Sequence, residues 1–309
     1  MSNFATLKKS SGSLDRLAKE LDKMNSTTTD KAEDTRFWQP EVDKSGNGMA
    51  VIRFLPPPAV DGDDCLPWVR IFNHGFKGPS GKWYIENSLT TLNQKDPVSE
   101  FNSKLWNESN DDNSPQRKQV RTQKRRLSYI SNIHVISDPK NPNNEGKIFL
   151  FKYGKKIFDK ITMLMNPEFD GDNPINPFDF WKGANFKMRI RNVEGYRNYD
   201  QSTFESPSAL LNDDDKLEEI WKLQHSLKEL ITPDKFKSYD DLKKKLYDVM
   251  EIYEKKVVVN YNRSLTDNRS LSAPTPSVVT LKTNRPSAAA VTQNEDDDDD
   301  LAAFKALAE

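Results

Sequence analysis

Leu127–Ser137, LSYISNIHVIS, and Lys147–Gly154, KIFLFKYG, decide how this chain is read. Both are short, rich in β-branched and aromatic residues, and bounded by Asn, Gly and Pro, which is the composition of strands and turns. Working outward, MAVIRFL (49–55), WVRIFNHGF (68–76), KWYIE (82–86) and NFKMRIRNV (185–193) repeat the pattern. Helical spacing enters after Gly154 (Ile157, Phe158, Ile161, Leu164) and after Asp213–Asp215 (Leu217, Ile220, Trp221, Leu227). It returns after Ser238, where Asp241 completes a capping-box spacing ahead of Leu242, Leu246, Val249 and Tyr253. The expected fold class is α+β, with a β-rich core and helices appended toward its C-terminal side.

The flanks read differently. Lys8, Lys9, Ser10 and Ser11 lead into Ser13, a plausible N-cap, and Leu14, Leu17, Ala18, Leu21 and Met24 follow at helical spacing. NSTTTD (25–30) then favours solvated backbone, so residues 1–30 form a basic arm. The core is assigned to 31–258. Beyond it, SAPTPS and NRPSAAA cannot bury enough apolar surface to offset ordering, and 259–309 read as a disordered tether. The tether ends in Glu295, Asp296, Asp297, Asp298, Asp299 and Asp300, followed by Leu301, Phe304 and Leu307, a pattern suited to a short helix against a partner.

The formal charge of −1, from 46 basic and 47 acidic residues, hides strong local polarity. Cys65, the only cysteine, excludes an internal disulfide and any zinc site built on two thiolates, and fits a reducing interior. No apolar run approaches the roughly 20 residues needed to cross a bilayer, and MSNFATLKKSSGS lacks a secretory apolar stretch, so a soluble protein is expected, without membrane contact.

QRKQVRTQKRR (116–126) carries Arg117, Lys118, Arg121, Lys124, Arg125 and Arg126 and no acid. Lys147, Lys152, Lys155, Lys156 and Lys160 follow, then Lys182, Lys187, Arg189, Arg191 and Arg197. Such cations either track a phosphate backbone, with a salt slope of about −0.7 per phosphate on single strands, or form a solvated surface. The aromatics favour the first reading: Tyr129, Phe149, Phe151, Tyr153, Tyr196 and Tyr199 lie among them, and stacking a base on a ring contributes about 1–3 kcal/mol without reading sequence. Alternation places Phe149, Phe151 and Tyr153 on one side of a strand. Phe149 and Phe158 suit the core, while Tyr196 and Tyr199, in the polar segment GYRNYDQ, suit exposure.

In order along the chain, NGMAVIRFLP (47–56), NHGFK (73–77), GKWYIE (81–86), NEGKIF (144–149), GKKIFDKI (154–161), KGANF (182–186), GYRNYD (195–200) and DKFKS (234–238) resemble the single-stranded DNA-binding, helix-destabilising protein of T-even-like tailed bacteriophages. The resemblance implies an OB-fold-type five-stranded barrel with a second small lobe, DNA lying in a cationic cleft between them. Its DNA-contact positions fall on Lys124, Arg125, Arg126, Tyr129, Phe151, Tyr196 and Tyr199, with Phe151 standing where the family has tyrosine. Lys152, Lys155, Lys156 and Arg197 join them as neighbouring cations. The resemblance assigns Lys8, Lys9, Ser10 and Ser11 to cooperative contacts between copies of the chain along DNA; Arg125–Ser128 repeats that cation–cation–hydroxyl pattern. Glu295–Asp300 with Phe304 are expected to compete for the cleft and to recruit a phage DNA polymerase, helicase loader and recombination proteins, in the cytoplasm of an infected bacterial host. The family's second lobe holds a structural zinc through one His and three Cys; the matching positions here are His74, Ser88, Asp96 and Ser99. A hydroxyl is a poor substitute for a thiolate, so no cofactor is expected, and Trp83, Trp68 and Phe76 are candidates to pack the lobe instead.

The expected function is non-catalytic, sequence-independent, cooperative coating of single-stranded DNA in replication, recombination and repair. One alternative is an RNA-binding translational regulator, the chain's own mRNA among its ligands, because stacking and phosphate contacts do not identify the sugar. A metal-dependent nuclease is the other; against it, His74, His134 and His225 are scattered, and Asp213–Asp215 is explained by a helix start.

Overall fold

The computed structural model describes residues 34–62, 64–169 and 171–252. Lys8, Lys9, Ser10, Ser11, Glu295–Asp300 and Phe304 lie outside the described residues, as do the arm and tether that carry them.

The described residues form a mixed α+β fold. Its strands are β1 (Phe37–Trp38), β2 (Gly48–Phe54), β3 (Val69–Lys77), β4 (Trp83–Asn87), β5 (Arg126–Ser137), β6 (Ile148–Tyr153), β7 (Phe186–Val193), β8 (Tyr196–Asn198) and β9 (Thr203–Phe204). Its helices are α1 (Pro97–Asn107), α2 (Pro115–Gln123), α3 (Lys155–Met165), α4 (Asp214–Lys222) and α5 (Tyr239–Met250). The sheet runs as an open path β1-β6-β5-β2-β7-β8; β3 branches from β5 and carries β4, and β9 pairs with β7.

β5 is the spine, 12 residues long and antiparallel to β2, β3 and β6. Its register sets Tyr129 opposite Tyr153, Ser131 opposite Phe151 and Ile133 opposite Phe149. Alternation therefore sends Tyr129, Ile133 and Val135 to one face, where they bury with Phe151, Tyr153, Ile52, Phe54, Phe186 and Met188. Each buried aromatic there contributes about 1.5–3 kcal/mol. A register shift between Val51 and Ile52 bends the ladder around this core.

The other face of the spine mixes buried apolar Ile130 and Leu150 with polar groups closed by hydrogen bonds. Arg53 is fully buried: Nε donates to Asn185 Oδ1 at 2.9 Å and Nη2 to Ser208 O at 2.8 Å, tying β2 to the segments around β7 and β9. Asn132, also buried, exchanges two hydrogen bonds with the backbone of His225, at 2.8 and 3.0 Å.

A second lobe packs Phe76, Tyr84, Leu89 and Val98 against Leu242, Leu246 and Val249 of α5. Gly78 permits this approach, because a Cβ there would sit 1.9 Å from Val249 O. Ser238 caps α5 as its spacing predicts: its Oγ accepts from Asp241 N at 3.2 Å and donates to the Asp241 carboxylate at 2.7 Å.

Three expectations change. Phe76 packs the lobe, but Trp83 is 53% exposed, and Trp68 lies against the body core, its ring 5.3 Å from Phe178. α4 stops at Lys222, so Leu227 is buried in a separate turn rather than on that helix. Residues 97–107 and 115–123 are helices hidden by their weak apolar periodicity, each opened by a proline after a capping residue, Asp96 and Ser114.

Candidate nucleic-acid interface

β7 and β8 form a hairpin whose two-residue turn, Glu194 and Gly195, has positive φ at both positions (53° and 88°). That handedness matches the strand twist; Gly195 adopts it without steric cost and Glu194 does not. The hairpin sets Val193 opposite Tyr196, Asn192 opposite Arg197 and Arg191 opposite Asn198. Tyr196 is 49% exposed, Arg197 is exposed, and Tyr199 is half-buried with its ring against the body core.

α3 faces this loop. Its interior turns bury Ile157 and Ile161, leaving Lys156 and Lys160, four residues apart, on a common outer stripe. Lys160 Nζ donates to Asp200 O at 3.0 Å and Lys156 Nζ lies 3.8 Å from the Asp200 carboxylate, so the end of GYRNYD is drawn to the helix. The Asn198 amide, then Lys156, Arg191 and Lys160, hold the Asp200 carboxyl below its ordinary pKa. Lys155 pairs with Asp159 along the helix at 3.2 Å. Lys152, on the exposed side of β6, reaches solvent, and desolvation by the surrounding protein lowers its pKa.

The aromatic set divides by burial. Tyr129 is buried, one face stacked on Phe158 at 3.8 Å between centroids and another neighbour, Tyr153, at 5.9 Å. Phe151 is buried between Tyr153 and the edge of Trp38, at 5.4 and 5.3 Å. The rings of these two residues belong to the wall behind the surface, whereas Tyr196 and Tyr199 stand on it.

The basic segment divides as well. Arg117 lies over the Trp106 ring at 4.2 Å, donates to Ser109 O and pairs with Asp112, and Arg121 donates to Asp112 O. Past the end of α2, Lys124 is half-buried, Arg125 lies over Phe72 at 4.2 Å, and Arg126 opens β5 fully exposed. The structure thus draws Asp200, next along the chain from Tyr196, Arg197 and Tyr199, to Lys156 and Lys160, while Arg117 and Arg121 are engaged by Trp106, Ser109 and Asp112. Asp200 is a member of the site that no local signal in the sequence marks; Lys160, one of the general run of cations in the sequence, joins it through the i, i+4 spacing with Lys156.

His74, Ser88, Asp96 and Ser99 converge in the second lobe. His74 Nδ1 donates to Gln123 O at 2.9 Å, and Nε2 faces Asp96 Oδ1 at 3.3 Å, with both side chains buried. Asp96 Oδ1 accepts from the Val98 and Ser99 N–H groups at 3.0 Å, and Oδ2 from Leu89 N at 3.1 Å. Burial would raise the Asp96 carboxyl, but His74, the Ser99 N–H and the Ser88 hydroxyl hold it at about 2. This donor set does not fit zinc: both carboxylate oxygens are engaged by backbone donors, and two of the remaining groups are neutral hydroxyls.

An exposed tyrosine, Tyr196, and a half-buried one, Tyr199, in a segment that also carries Arg197 and meets the lysines of α3 make a surface for stacking and for phosphate, the class of proteins that bind nucleic acid. A family model described as "gp32 DNA binding protein like" matches residues 46–250. The chain is 39% identical over 241 residues to the single-stranded DNA-binding protein of Enterobacteria phage T4, covering 76% of each chain, and 40% identical over 226 residues to that of phage T2, covering 71% of each. The chain belongs to this gp32-like family of phage single-stranded DNA-binding proteins, and it is a non-catalytic binding protein.

Proposed function

We propose that this protein coats single-stranded DNA during phage replication, in the cytoplasm of the infected host, without reading sequence. The observation that carries the reading is the joining of Lys156 and Lys160 on α3 to the Tyr196–Asp200 loop, which sets phosphate-binding cations beside base-stacking rings. Lys124, Arg125, Arg126, Lys152, Lys155 and Arg197 extend the phosphate track; Tyr129 and Phe151 support it from within, their rings packed against Phe158 and Trp38. The long bulged spine β5, paired with three strands around one core, supports an OB-type reading of the body. Core boundaries at 31–258, cooperative contacts through Lys8–Ser11, and an acidic segment that competes for the cleft and recruits polymerase, helicase-loading and recombination proteins complete the proposal. So do roles in recombination and repair.

Fluorescence titration with poly(dT) across a salt series tests it. Stacking quenches tyrosine and tryptophan, and log K falls with log salt by about 0.7 per phosphate engaged. Tighter binding to a matched RNA oligomer than to DNA would redirect the reading to an RNA regulator. Deleting 1–30 is expected to abolish cooperativity, and deleting 290–309 to strengthen DNA binding at low salt.

A further inference from the structure

We infer that the second lobe is a metal-independent version of the family's zinc-bearing lobe, in which the buried His74–Asp96 contact replaces the metal as the cross-link. The four positions stay neighbours: Asp96 and Ser99 have the two-residue spacing of a ligand pair at a helix start and meet through the Ser99 N–H, and His74 and Ser88 meet Asp96 from β3 and from the turn after β4.

What occupies the centre is a carboxylate rather than a vacancy for an ion. Asp96 receives Leu89 N–H from one side and the first turn of α1 from the other, so both oxygens are engaged. Its negative charge also opposes the positive end of α1 and faces the His74 ring. The ring carries the link onward. A carbonyl only accepts, so the Gln123 contact fixes a proton on Nδ1; the Asp96 carboxylate also only accepts, so the 3.3 Å approach of Nε2 is a link when both ring nitrogens carry protons. In a zinc site the same second contact would orient the imidazole for the metal; here it orients it for the acid. One pair thereby joins β3, the 89–92 turn, the start of α1 and the end of α2, beside the small apolar cluster around Tyr84 and Val98. Tyr84, stacked on Phe76 at 5.0 Å and edge-on to His74 at 6.3 Å, seals the pair from water.

The test uses full-length protein, with zinc content by elemental analysis, melting temperature by circular dichroism and poly(dT) affinity, each before and after EDTA. The expected result is no stoichiometric zinc and no change in Tm or affinity on chelation. Asp96→Ala is expected to lower Tm by roughly 10 °C, since it strands a buried imidazole and removes a helix cap. Asp96→Asn, which keeps a capping oxygen, is expected to fall less and still bind poly(dT). The triple variant Ser88→Cys, Asp96→Cys, Ser99→Cys, refolded with cobalt, is expected to take up one ion per chain with thiolate charge-transfer bands and to become EDTA-sensitive. One zinc per purified chain, a fall in Tm on chelation of the unaltered protein, or unchanged Tm in Asp96→Ala would each overturn the inference. A triple variant that folds without taking up cobalt would overturn the claim that the four positions stay neighbours.

Discussion

The basic segment around α2 and the basic face of α3 are alike in sequence and opposite in structure. Arg117 and Arg121 are spaced by four residues and so are Lys156 and Lys160. The arginines turn inward, onto Trp106 and the oxygens of Ser109 and Asp112; the Arg117 side chain is only 13% exposed. The lysines are more open, 40% exposed at Lys156, and their partner is Asp200, in a loop that also carries two tyrosines, with no aromatic face among the described residues covering them. A cation already committed to an aromatic face and a carboxylate has little left for a phosphate, so the density of charge in a sequence overstates the charge available to a ligand.

That contrast is tested first where the effect is largest. Tyr199→Ala is expected to weaken poly(dT) binding by about 1–3 kcal/mol, roughly 5- to 150-fold, with the salt slope unchanged, because it removes stacking and no charge. Arg117→Ala is expected to do the reverse. It should cost about 1–2 kcal/mol of stability, through the lost Trp106 contact and a part-buried hydrogen bond, while affinity and slope per folded molecule hold. Urea unfolding and the salt series separate the two; an Arg117→Ala protein whose slope drops by a phosphate would erase the distinction between the regions. Lys156→Gln is the smaller companion, with a slope reduced by about 0.7 and a few-fold loss of affinity at moderate salt.

Much of the body was legible because period-two patterning is strong in it. The segments around β2, β3, β5, β6 and β7 all emerge from alternation and flanking turn residues, and Ser238 with Asp241 marks the start of α5. α1 and α2 were not legible, since their polar faces outweigh a narrow apolar stripe at Val98 and Trp106 or at Val120 alone. For the site, exposure of Tyr196 followed from its polar surroundings. The burial of Tyr129 did not, because a ring that stacks on a base and a ring that stacks on Phe158 have the same composition and parity. Pairings across the fold, such as Asp200 with α3 or His74 with Asp96, depend on elements 40 and 22 residues apart in sequence, where local pattern carries no information.

The second lobe offers a last, smaller comparison, because its surface charges act on stability and not on binding. Glu86, at the end of GKWYIE, is held by Lys237 at 2.6 Å and by Lys245. Burial pushes its carboxyl up, but the two lysines outweigh it and leave the pKa below the ordinary glutamate value. A depressed acid contributes stability that is present above its unfolded pKa, about 4.3, and disappears as pH falls through the lower folded value. Glu86→Gln should therefore melt below the unaltered protein at pH 7, by at most about 1 kcal/mol for so solvent-accessible a pair of lysines, and the two melting curves should converge between about pH 5 and pH 3. Poly(dT) affinity at pH 7 should be equal in both. A gap in Tm that persists at pH 3 would assign Glu86 to packing instead of charge; a change in affinity would place the lobe's surface within reach of the DNA and join two regions that the cations of α2 and α3 keep apart.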